Sequence, residues 1–460
     1  MKKQICILLA ASLLMMAGCS GGNSDSGDGS GTPSASGENT PAGGGNDATD
    51  DGNGTPDNGT GGSVTMTESF GNNPSVVTSE YTYAVPTEDM SEEDQRRLMI
   101  DNSLMTLGDT SRMENVLKKA AAGEEITIGF IGGSITEGLT AGANDCWAKL
   151  TYDALCEMYP DTKINYVNAG LSGTNSALGV VRAERDLYSE YTPDIVFIEF
   201  AVNNGDTQLD KDSYESLVRK ILEKDNDPAV VLLFTVLKNR YSCQPWMTMV
   251  GEHYDLPMIS VGDAINPMFD AGLMEWSKYS DDESHPNYWG HELVKDFVMN
   301  YFEQVKAIAD ADSGLSALPD LPEDAVYSYA YRDMQLLERD QLDVTIEDGF
   351  KESDSIVATF NNGWSYSAKS GASLSFTADF KTLFLVFHCN NSDGYKDAQV
   401  YIDGVLVNSV ASNRSGGWGN PEAYIAWSTK DDSASHEVVI KVAESDSRGY
   451  YGLLGIGICQ

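Results

Sequence analysis

Between residues 126 and 305, short apolar runs alternate with stretches whose apolar residues recur at helical spacing. We predict that the apolar runs are strands, at residues 126–131, 164–167, 194–200, 230–236 and 258–261. Helical spacing is clearest between Trp147 and Met158 and between Tyr214 and Leu222. Strands that alternate with helices in this way predict a parallel sheet with helices on both faces.

The pattern changes after about residue 309. A segment with Pro319, Pro322 and several acidic residues is typical of a linker, and no further helical spacing follows it. Short apolar runs separated by Gly, Asn, Asp and Ser predict seven strands, at residues 355–360, 374–377, 382–388, 398–402, 423–427, 436–442 and 452–458. Asp403-Gly404 is a hairpin signal. We therefore predict an α/β domain at 91–308, a linker at 309–324 and an all-β sandwich or jelly roll at 325–460.

The N-terminus has the features of an export signal. Two lysines precede a 12-residue apolar stretch, which ends at Met16-Ala17-Gly18-Cys19 and resembles a bacterial lipobox. This resemblance implies cleavage before Cys19 and lipidation of its thiol; the alternative is a plain secretory signal. Residues 20–65 contain hardly any apolar residue and predict a disordered tether. We expect an exported, surface-exposed protein that contacts the cell membrane only through a lipid anchor.

The net charge and the positions of the cysteines exclude several kinds of partner and site. The formal net charge is −40, from 70 acidic and 30 basic residues, so a nucleic-acid partner is excluded. Beyond Cys6 and Cys19, the scattered cysteines fit neither a disulfide framework nor a zinc site, and we expect buried free thiols at Cys146, Cys156, Cys243, Cys389 and Cys459. No metal or organic cofactor is expected, and the oligomeric state stays open.

Four polar segments follow the predicted strands. Their positions are residues 132–136, 168–170, 202–203 and 282–286, after the first, second, third and fifth strands. In an open parallel sheet, ligand-binding groups gather in the crevice outside the carboxyl ends of the strands. All four segments are therefore expected on the side of the sheet where an active site forms.

These segments supply the groups that serine-based acyl transfer needs. Ser134 is the candidate nucleophile and His285 the candidate base, since Asp282 stands three residues earlier and can orient the imidazole. The backbone amides of Ser134 and Gly170 and the side chain of Asn203 are candidate donors to an oxyanion.

Less specific interpretations exist for each residue. Ser134 could be a polar turn residue, and His285 could be structural. His291 fits the start of a helix better than a second base. A metal site at Asp282, His285 and His291 has little support, because no H-E-x-x-H motif occurs.

The four segments together resemble the SGNH (GDSL-type) hydrolase superfamily, over roughly residues 127–304. The family's Ser, Gly, Asn and His blocks map to Ser134, Gly170, Asn203 and the Asp282/His285 pair. The resemblance implies a flavodoxin-like three-layer α/β/α fold and ester hydrolysis. Two positions depart from the common pattern, in which Asp is frequent: Gly133 precedes the serine, and Asn204 follows Asn203.

The all-β segment suggests the substrate. Trp418 stands within a glycine-rich stretch and is a candidate for stacking on a sugar, with Trp364, Trp427 and Tyr395 as further candidates. The alternative for these aromatics is a core position in the sandwich, which is favoured for Trp427. The layout resembles two-domain acetylesterases that act on plant hemicelluloses. We therefore expect a serine esterase that removes acyl groups, by preference acetyl, from a glycan. The alternatives are a lipase or thioesterase, a peptidoglycan O-acetylesterase, or a non-catalytic glycan-binding lipoprotein.

Overall fold

The computed structural model of the chain describes residues 83–357 and 359–460. All of these residues lie within one compact unit. The predicted signal at 1–19 with its lipidation site Cys19, and the predicted tether at 20–65, lie outside the described residues. Among the residues that are described, no helix combines the length and hydropathy that a membrane span requires.

Six strands form the sheet of the first domain. Their bounds are β1 (Leu104–Thr106), β2 (Ile126–Gly132), β3 (Ile164–Gly170), β4 (Ile195–Glu199), β5 (Ala229–Phe234) and β6 (Met258–Ser260). The order across the sheet is β1-β6-β5-β4-β2-β3; the last five are parallel, and β1 pairs antiparallel with β6. The parallel strands follow the flavodoxin-like order, which confirms the predicted fold class. The short edge strand β1 was not predicted.

Ten helices accompany this sheet in the described part of the chain. They are α1 (Glu92–Ser103), α2 (Ser111–Ala121), α3 (Ser134–Glu137), α4 (Trp147–Met158), α5 (Ser176–Tyr188), α6 (Gln208–Leu222), α7 (Gln244–His253), α8 (Val261–Asp270), α9 (Trp276–Tyr279) and α10 (Tyr288–Ala311). Local signals place their ends: Asn287 caps α10, and α2 ends before Gly123, whose φ is +78°.

The two faces of the sheet bury separate cores. Alternate residues of each strand point to opposite faces, so Phe197 packs with helices α1, α2, α4, α8 and α10, whereas its neighbours Val196 and Ile198 pack with α5, α6 and α7. The result is a three-layer α/β/α domain.

Eleven strands lie in the described part of the second domain. They are β7 (Gln335–Leu337), β8 (Thr345–Asp348), β9 (Lys351–Ser353), β10 (Gly363–Ala368), β11 (Ala372–Phe380), β12 (Thr382–Asn390), β13 (Asp397–Ile402), β14 (Val405–Ala411), β15 (Trp418–Ser428), β16 (Ala434–Val442) and β17 (Gly449–Cys459). One antiparallel sheet has the order β15-β12-β17-β10-β9, with β7 on β17; the other has the order β14-β13-β16-β11-β8. Their facing sides enclose one apolar core, which confirms the predicted sandwich.

The strand predictions for this domain were partly wrong. Residues 355–360 do not form a strand, since their described members make only an isolated bridge between Val357 and Phe360. Strands β7, β8, β9, β10 and β14 were not predicted. The hairpin at Asp403-Gly404 is confirmed, because both residues have positive φ, at +50° and +79°.

The two domains share a hydrophobic core. Helix α5 packs on the parallel sheet, and its residues Val180 and Val181 belong to the same buried cluster as Phe384 of β12 and Leu454 of β17. The chain entering the second domain is also fixed: buried Glu215 accepts hydrogen bonds from the backbone N–H groups of residues 326–328, at 2.6–2.9 Å. Removing the second domain would therefore expose an apolar helix face. The predicted domain boundaries stay predictions.

The five cysteines of the described residues are free thiols, as predicted, but the predicted burial is wrong for one of them. Cys146, Cys243, Cys389 and Cys459 are buried, whereas Cys156 is half-buried.

Candidate active site

The candidate nucleophile lies where β2 ends. Ser134 is the first residue of α3, directly after Gly133, and is 8% exposed. A Cβ at Gly132 would overlap the Thr136 hydroxyl, and a Cβ at Gly133 would overlap the Asn203 carboxamide. Both glycines are therefore needed for close packing around the serine in this structure.

The candidate base reaches this serine from a distant loop. His285 Nε2 lies 3.0 Å from Ser134 Oγ, and His285 Nδ1 lies 2.7 Å from Asp282 Oδ2. The structure therefore brings hydroxyl, imidazole and carboxylate into the continuous hydrogen-bonded line that a serine nucleophile requires. The Ser134 turn follows β2 and Asn203 follows β4, so these residues lie at the switch point of the sheet, between the two strands.

Asp282 organises the loop as well as the imidazole. Its Oδ1 accepts hydrogen bonds from the N–H groups of Ser284 and His285, at 2.6 and 2.7 Å. The loop is anchored from outside, because the Trp276 indole donates to the Asp282 carbonyl and the Ser280 hydroxyl donates to the His285 carbonyl, each at 2.6 Å. One carboxylate thus fixes both the turn and the direction of the ring.

The hydrogen bonds also set the charge of this carboxyl. Partial burial acts to raise the pKa of Asp282, but the backbone and side-chain hydrogen bonds from His285 and the Ser284 amide outweigh it and lower the pKa to about 2. Asp282 is therefore ionised throughout the neutral range. An ionised partner at Nδ1 holds the proton on that nitrogen, so that Nε2 is free to accept the serine proton.

Two of the candidate oxyanion donors are close to the Ser134 hydroxyl: the N–H of Ser134 itself and the side chain of Asn203. The N–H of Ser134 is at the first helical position of α3, where it has no acceptor within the helix. Asn203 lies in the turn after β4, and its carboxamide contacts Gly133. Its Oδ1 is buried with no hydrogen-bond partner among the described residues.

The third candidate donor has a partner. The N–H of Gly170 donates to Asn168 Oδ1 at 2.8 Å, so an oxyanion would compete with this carboxamide for the amide proton. Gly170 is also required sterically, since a Cβ there would overlap the backbone at Glu137. The sequence pattern placed Gly170 at the site but gave no signal for its pairing with Asn168.

Two neighbouring residues have structural roles. Asn204 is buried and pairs with Ser176, accepting from its N–H at 2.9 Å and donating to its hydroxyl at 2.6 Å. His291 is buried in α10, and its Nδ1 accepts from the Trp147 N–H at 3.1 Å, so it caps α4. Burial and the charge of His285 lower the pKa of His291 to about 4, and at neutral pH it is uncharged.

The aromatic candidates of the second domain separate into exposed and buried ones. Trp418 is 62% exposed, and its indole covers Gly173, three residues beyond Gly170. Next to it, Asn420 donates to the Gly173 carbonyl at 3.2 Å. Trp364 is in the sandwich core, which is the alternative that the sequence left open, and Trp427 is partly buried against that core. Tyr395 is half-buried against His388 and Tyr450.

Sequence reasoning missed a buried carboxylate beneath the site. Glu199 ends β4 and is fully buried, and its oxygens accept hydrogen bonds from Thr136 and Thr235 at 2.9 and 2.6 Å. A charged residue that ends an otherwise apolar strand was the available signal. Within residues 83–357 and 359–460, no cluster of His, Cys, Asp and Glu side chains is arranged to hold a metal ion.

Comparison with known proteins agrees with this geometry. Residues 130–293 match the GDSL-like Lipase/Acylhydrolase family. The chain is similar to two crystal structures of a two-domain esterase (CEX) active on acetylated mannans, one of them co-crystallized with mannopentaose. For each, the identity is 28% and the TM-score 0.69, and the match covers 78% of this chain and 97% of that chain. The chain thus contains a GDSL-like acylhydrolase domain over residues 130–293, and it is an esterase.

A more distant structure matches only part of the chain. A catalytic mutant of Axe2, an acetylxylan esterase from Geobacillus stearothermophilus, is 19% identical with a TM-score of 0.33, and the match covers 38% of this chain and 94% of that chain. A search of curated protein sequences finds no significant match.

Proposed function

We propose that this esterase removes acetyl groups from a polysaccharide or oligosaccharide, with Ser134 as nucleophile, His285 as general base and acid, and Asp282 as the group that orients it. The observation that carries the proposal is the 3.0 Å contact between His285 Nε2 and Ser134 Oγ, with Asp282 on the other ring nitrogen. No other described hydroxyl has an Asp-bound imidazole at this distance.

The reaction divides into two half-reactions. Ser134 Oγ attacks the ester carbonyl while its proton passes to His285 Nε2, and the carbonyl oxygen becomes an oxyanion beside the Ser134 amide and Asn203. The oxyanion then collapses: the bond to the sugar oxygen breaks, His285 returns its proton to that oxygen, and the sugar hydroxyl leaves. His285 then takes a proton from water, which attacks the acetyl-serine; as the bond to Ser134 Oγ breaks and acetate leaves, His285 returns the proton to that oxygen.

Two observations support a glycan as the leaving group. The similar two-domain esterase is active on acetylated mannans, and the match covers 97% of that chain. Trp418 also presents an exposed indole beside the loop that follows Gly170, and aromatic faces stack on the apolar faces of sugar rings.

The test compares the wild-type protein with Ser134→Ala on p-nitrophenyl acetate and on acetylated mannan, acetylated xylan, O-acetylated peptidoglycan and a long-chain acyl ester. We expect the wild type to release acetate from a plant-type acetylated glycan, and the variant to release none above background. Preference for the long-chain ester or for peptidoglycan would replace the proposed substrate. Glycan binding without hydrolysis by either protein would favour a non-catalytic binding role.

The proposed location rests on the sequence of the leader. We propose that the mature protein begins at a lipidated Cys19 and is held at the outer surface of the cell membrane. Metabolic labelling with an alkyne fatty acid should tag the wild-type protein and leave Cys19→Ala untagged. Labelling of both proteins, or release of wild-type protein into the medium, would contradict the anchor.

A further inference from the structure

A buried acidic residue lies directly below the turn that carries Ser134. Glu199 is the last residue of β4 and is fully inaccessible to solvent. Burial raises the pKa of its carboxyl, and the hydrogen bonds of Thr235 and Thr136 and the backbone of Gly133 oppose that rise. A carboxyl group in a protein interior is costly unless its oxygens are satisfied. Both oxygens of Glu199 are used, and two of the three groups that face them belong to the nucleophile turn.

This carboxyl group begins a chain of hydrogen bonds that passes through the site. Thr136 Oγ1 donates to Glu199 at 2.9 Å, and the Thr136 carbonyl accepts from Asn168 Nδ2 at 2.8 Å. Asn168 Oδ1 in turn accepts from the Gly170 N–H at 2.8 Å. Glu199 is therefore linked through two residues to the strand end that supplies a candidate oxyanion donor.

The glycines of the turn fit the same arrangement. A Cβ at Gly132 would overlap the Thr136 hydroxyl that donates to Glu199, and it would lie 2.6 Å from the Glu199 carbonyl oxygen. The turn thus lies directly against the end of β4, with no room for a side chain between them. From the other side, Thr235 Oγ1 holds the carboxyl at 2.6 Å and fixes its orientation.

We propose that Glu199 is a positioning residue of this esterase: held by Thr235, it fixes the Gly132–Thr136 turn through Thr136 and thereby sets Ser134 and the oxyanion donors in reactive geometry. The inference rests on the proposed reaction at Ser134. Glu199 touches no reacting atom, and its effect is on the placement of groups that do. Small displacements of such groups cost up to about 10²-fold in rate.

The test uses near-isosteric variants of all three partners. Each variant changes either the carboxylate or one of the two hydroxyls that donate to it, with little change in side-chain volume: Glu199→Gln, Thr136→Val and Thr235→Val. For Glu199→Gln and Thr136→Val, we expect kcat on p-nitrophenyl acetate to fall by roughly 10- to 100-fold, with KM within twofold of the wild type. Thr235→Val, which leaves the contact with the turn in place, should lower kcat by less than tenfold.

A second readout separates positioning from folding. Inactivation by an organophosphate ester, which reports the reactivity of Ser134 without any glycan, should slow by the same factor as kcat. Thr151→Val is the matched control, because Thr151 is buried in α4 and its hydroxyl has no partner among the described residues. This control should leave kcat and the inactivation rate unchanged.

The double variant of Glu199 and Thr136 tests whether the two residues act together. If Glu199 acts through Thr136, the double variant should be no slower than the slower single variant, since the two changes break the same connection. If Glu199→Gln and Thr136→Val had the kcat and inactivation rate of the wild type, the inference would be wrong. It would also be wrong if their loss of kcat were fully accounted for by a smaller fraction of folded protein. Absence of hydrolysis by the wild type itself would instead refute the proposed function.

Discussion

Each domain contains an Asp–His pair with nearly the same geometry. In the first domain His285 Nδ1 lies 2.7 Å from Asp282 Oδ2, and in the second His436 Nδ1 lies 2.7 Å from Asp403 Oδ2. In each pair the other carboxylate oxygen accepts from backbone, from Ser284 and His285 in one case and from Glu437 in the other. The hydrogen bonds between Asp and His do not distinguish them.

The surroundings of the second ring nitrogen distinguish the pairs. His285 Nε2 faces the Ser134 hydroxyl, and the Ser134 amide and Asn203 lie beside that hydroxyl. The ring of His436 instead packs between Phe380 and Trp427, with ring centroids 5.0 Å away in both cases. An Asp–His pair therefore indicates catalysis only where a nucleophile and oxyanion donors complete it; in the β-sandwich it secures a hairpin against its neighbouring strand.

Replacing each histidine by alanine should give the largest difference in kcat between the two Asp–His pairs. We expect His285→Ala to lower kcat on p-nitrophenyl acetate by about 10⁴-fold or more, because no base remains to take the Ser134 proton. His436→Ala should retain wild-type kcat. Steady-state rates of the two purified variants decide the matter, and comparable losses in both would break the comparison.

Replacing each aspartate by asparagine should give a smaller difference in kcat between the two pairs. Asp282→Asn keeps the shape but removes the charge that orients the imidazole, and we expect kcat to fall by about 10²- to 10⁴-fold. Asp403→Asn should leave kcat within twofold of the wild type. If Asp282→Asn were as active as the wild type, the imidazole would be oriented by the surrounding loop alone.

Two tryptophans of the β-sandwich, one exposed and one partly buried, should differ in their effect on substrate binding. Trp418→Ala should raise KM for an acetylated oligosaccharide by roughly tenfold, which corresponds to about 1.4 kcal/mol of lost stacking, and should leave p-nitrophenyl acetate hydrolysis unchanged. Trp427→Ala should lower the Tm instead, because Trp427 packs partly buried against the sandwich core. An unchanged KM in Trp418→Ala would remove this residue from the substrate site.

The smallest expected effect is on stability in acid. Hydrogen bonds lower the pKa of Asp282 from 3.8 to about 2 in the folded protein, and His436 lowers the pKa of Asp403. Each carboxylate therefore stabilises the fold above about pH 4, and for Asp282 this contribution is lost as the pH falls towards 2.

Thermal unfolding at pH 6 and pH 2.5 measures this contribution. Asp282→Asn should have a lower Tm than the wild type at pH 6, and the gap should narrow at pH 2.5. Asp403→Asn should show the same sign with a smaller gap, since one backbone N–H donates to its carboxylate whereas two donate to that of Asp282. A gap that widens in acid would contradict the sign of these pKa shifts.

The sequence carries a local signal for one of the two Asp–His pairs and none for the other. Asp282 and His285 are three residues apart, so their pairing could be inferred from spacing, whereas Asp403 and His436 are separated by more than thirty residues and left no local signal. The parallel strands were predicted from their apolar runs. Strands such as β10 (Gly363–Ala368) carry little apolar character and are ordered by their neighbours in the sheet.

By itself, the sequence determined the α/β domain, the sandwich that follows it and the residue types that gather at the strand ends, because these depend on local hydrophobic pattern and on the common edge of parallel strands. Only the tertiary structure decided that Glu199 lies beneath Ser134, that Asn168 engages Gly170, and that Val181 joins the two domains in one core. Contacts between residues far apart in the chain depend on how whole elements pack, and local pattern does not contain that information.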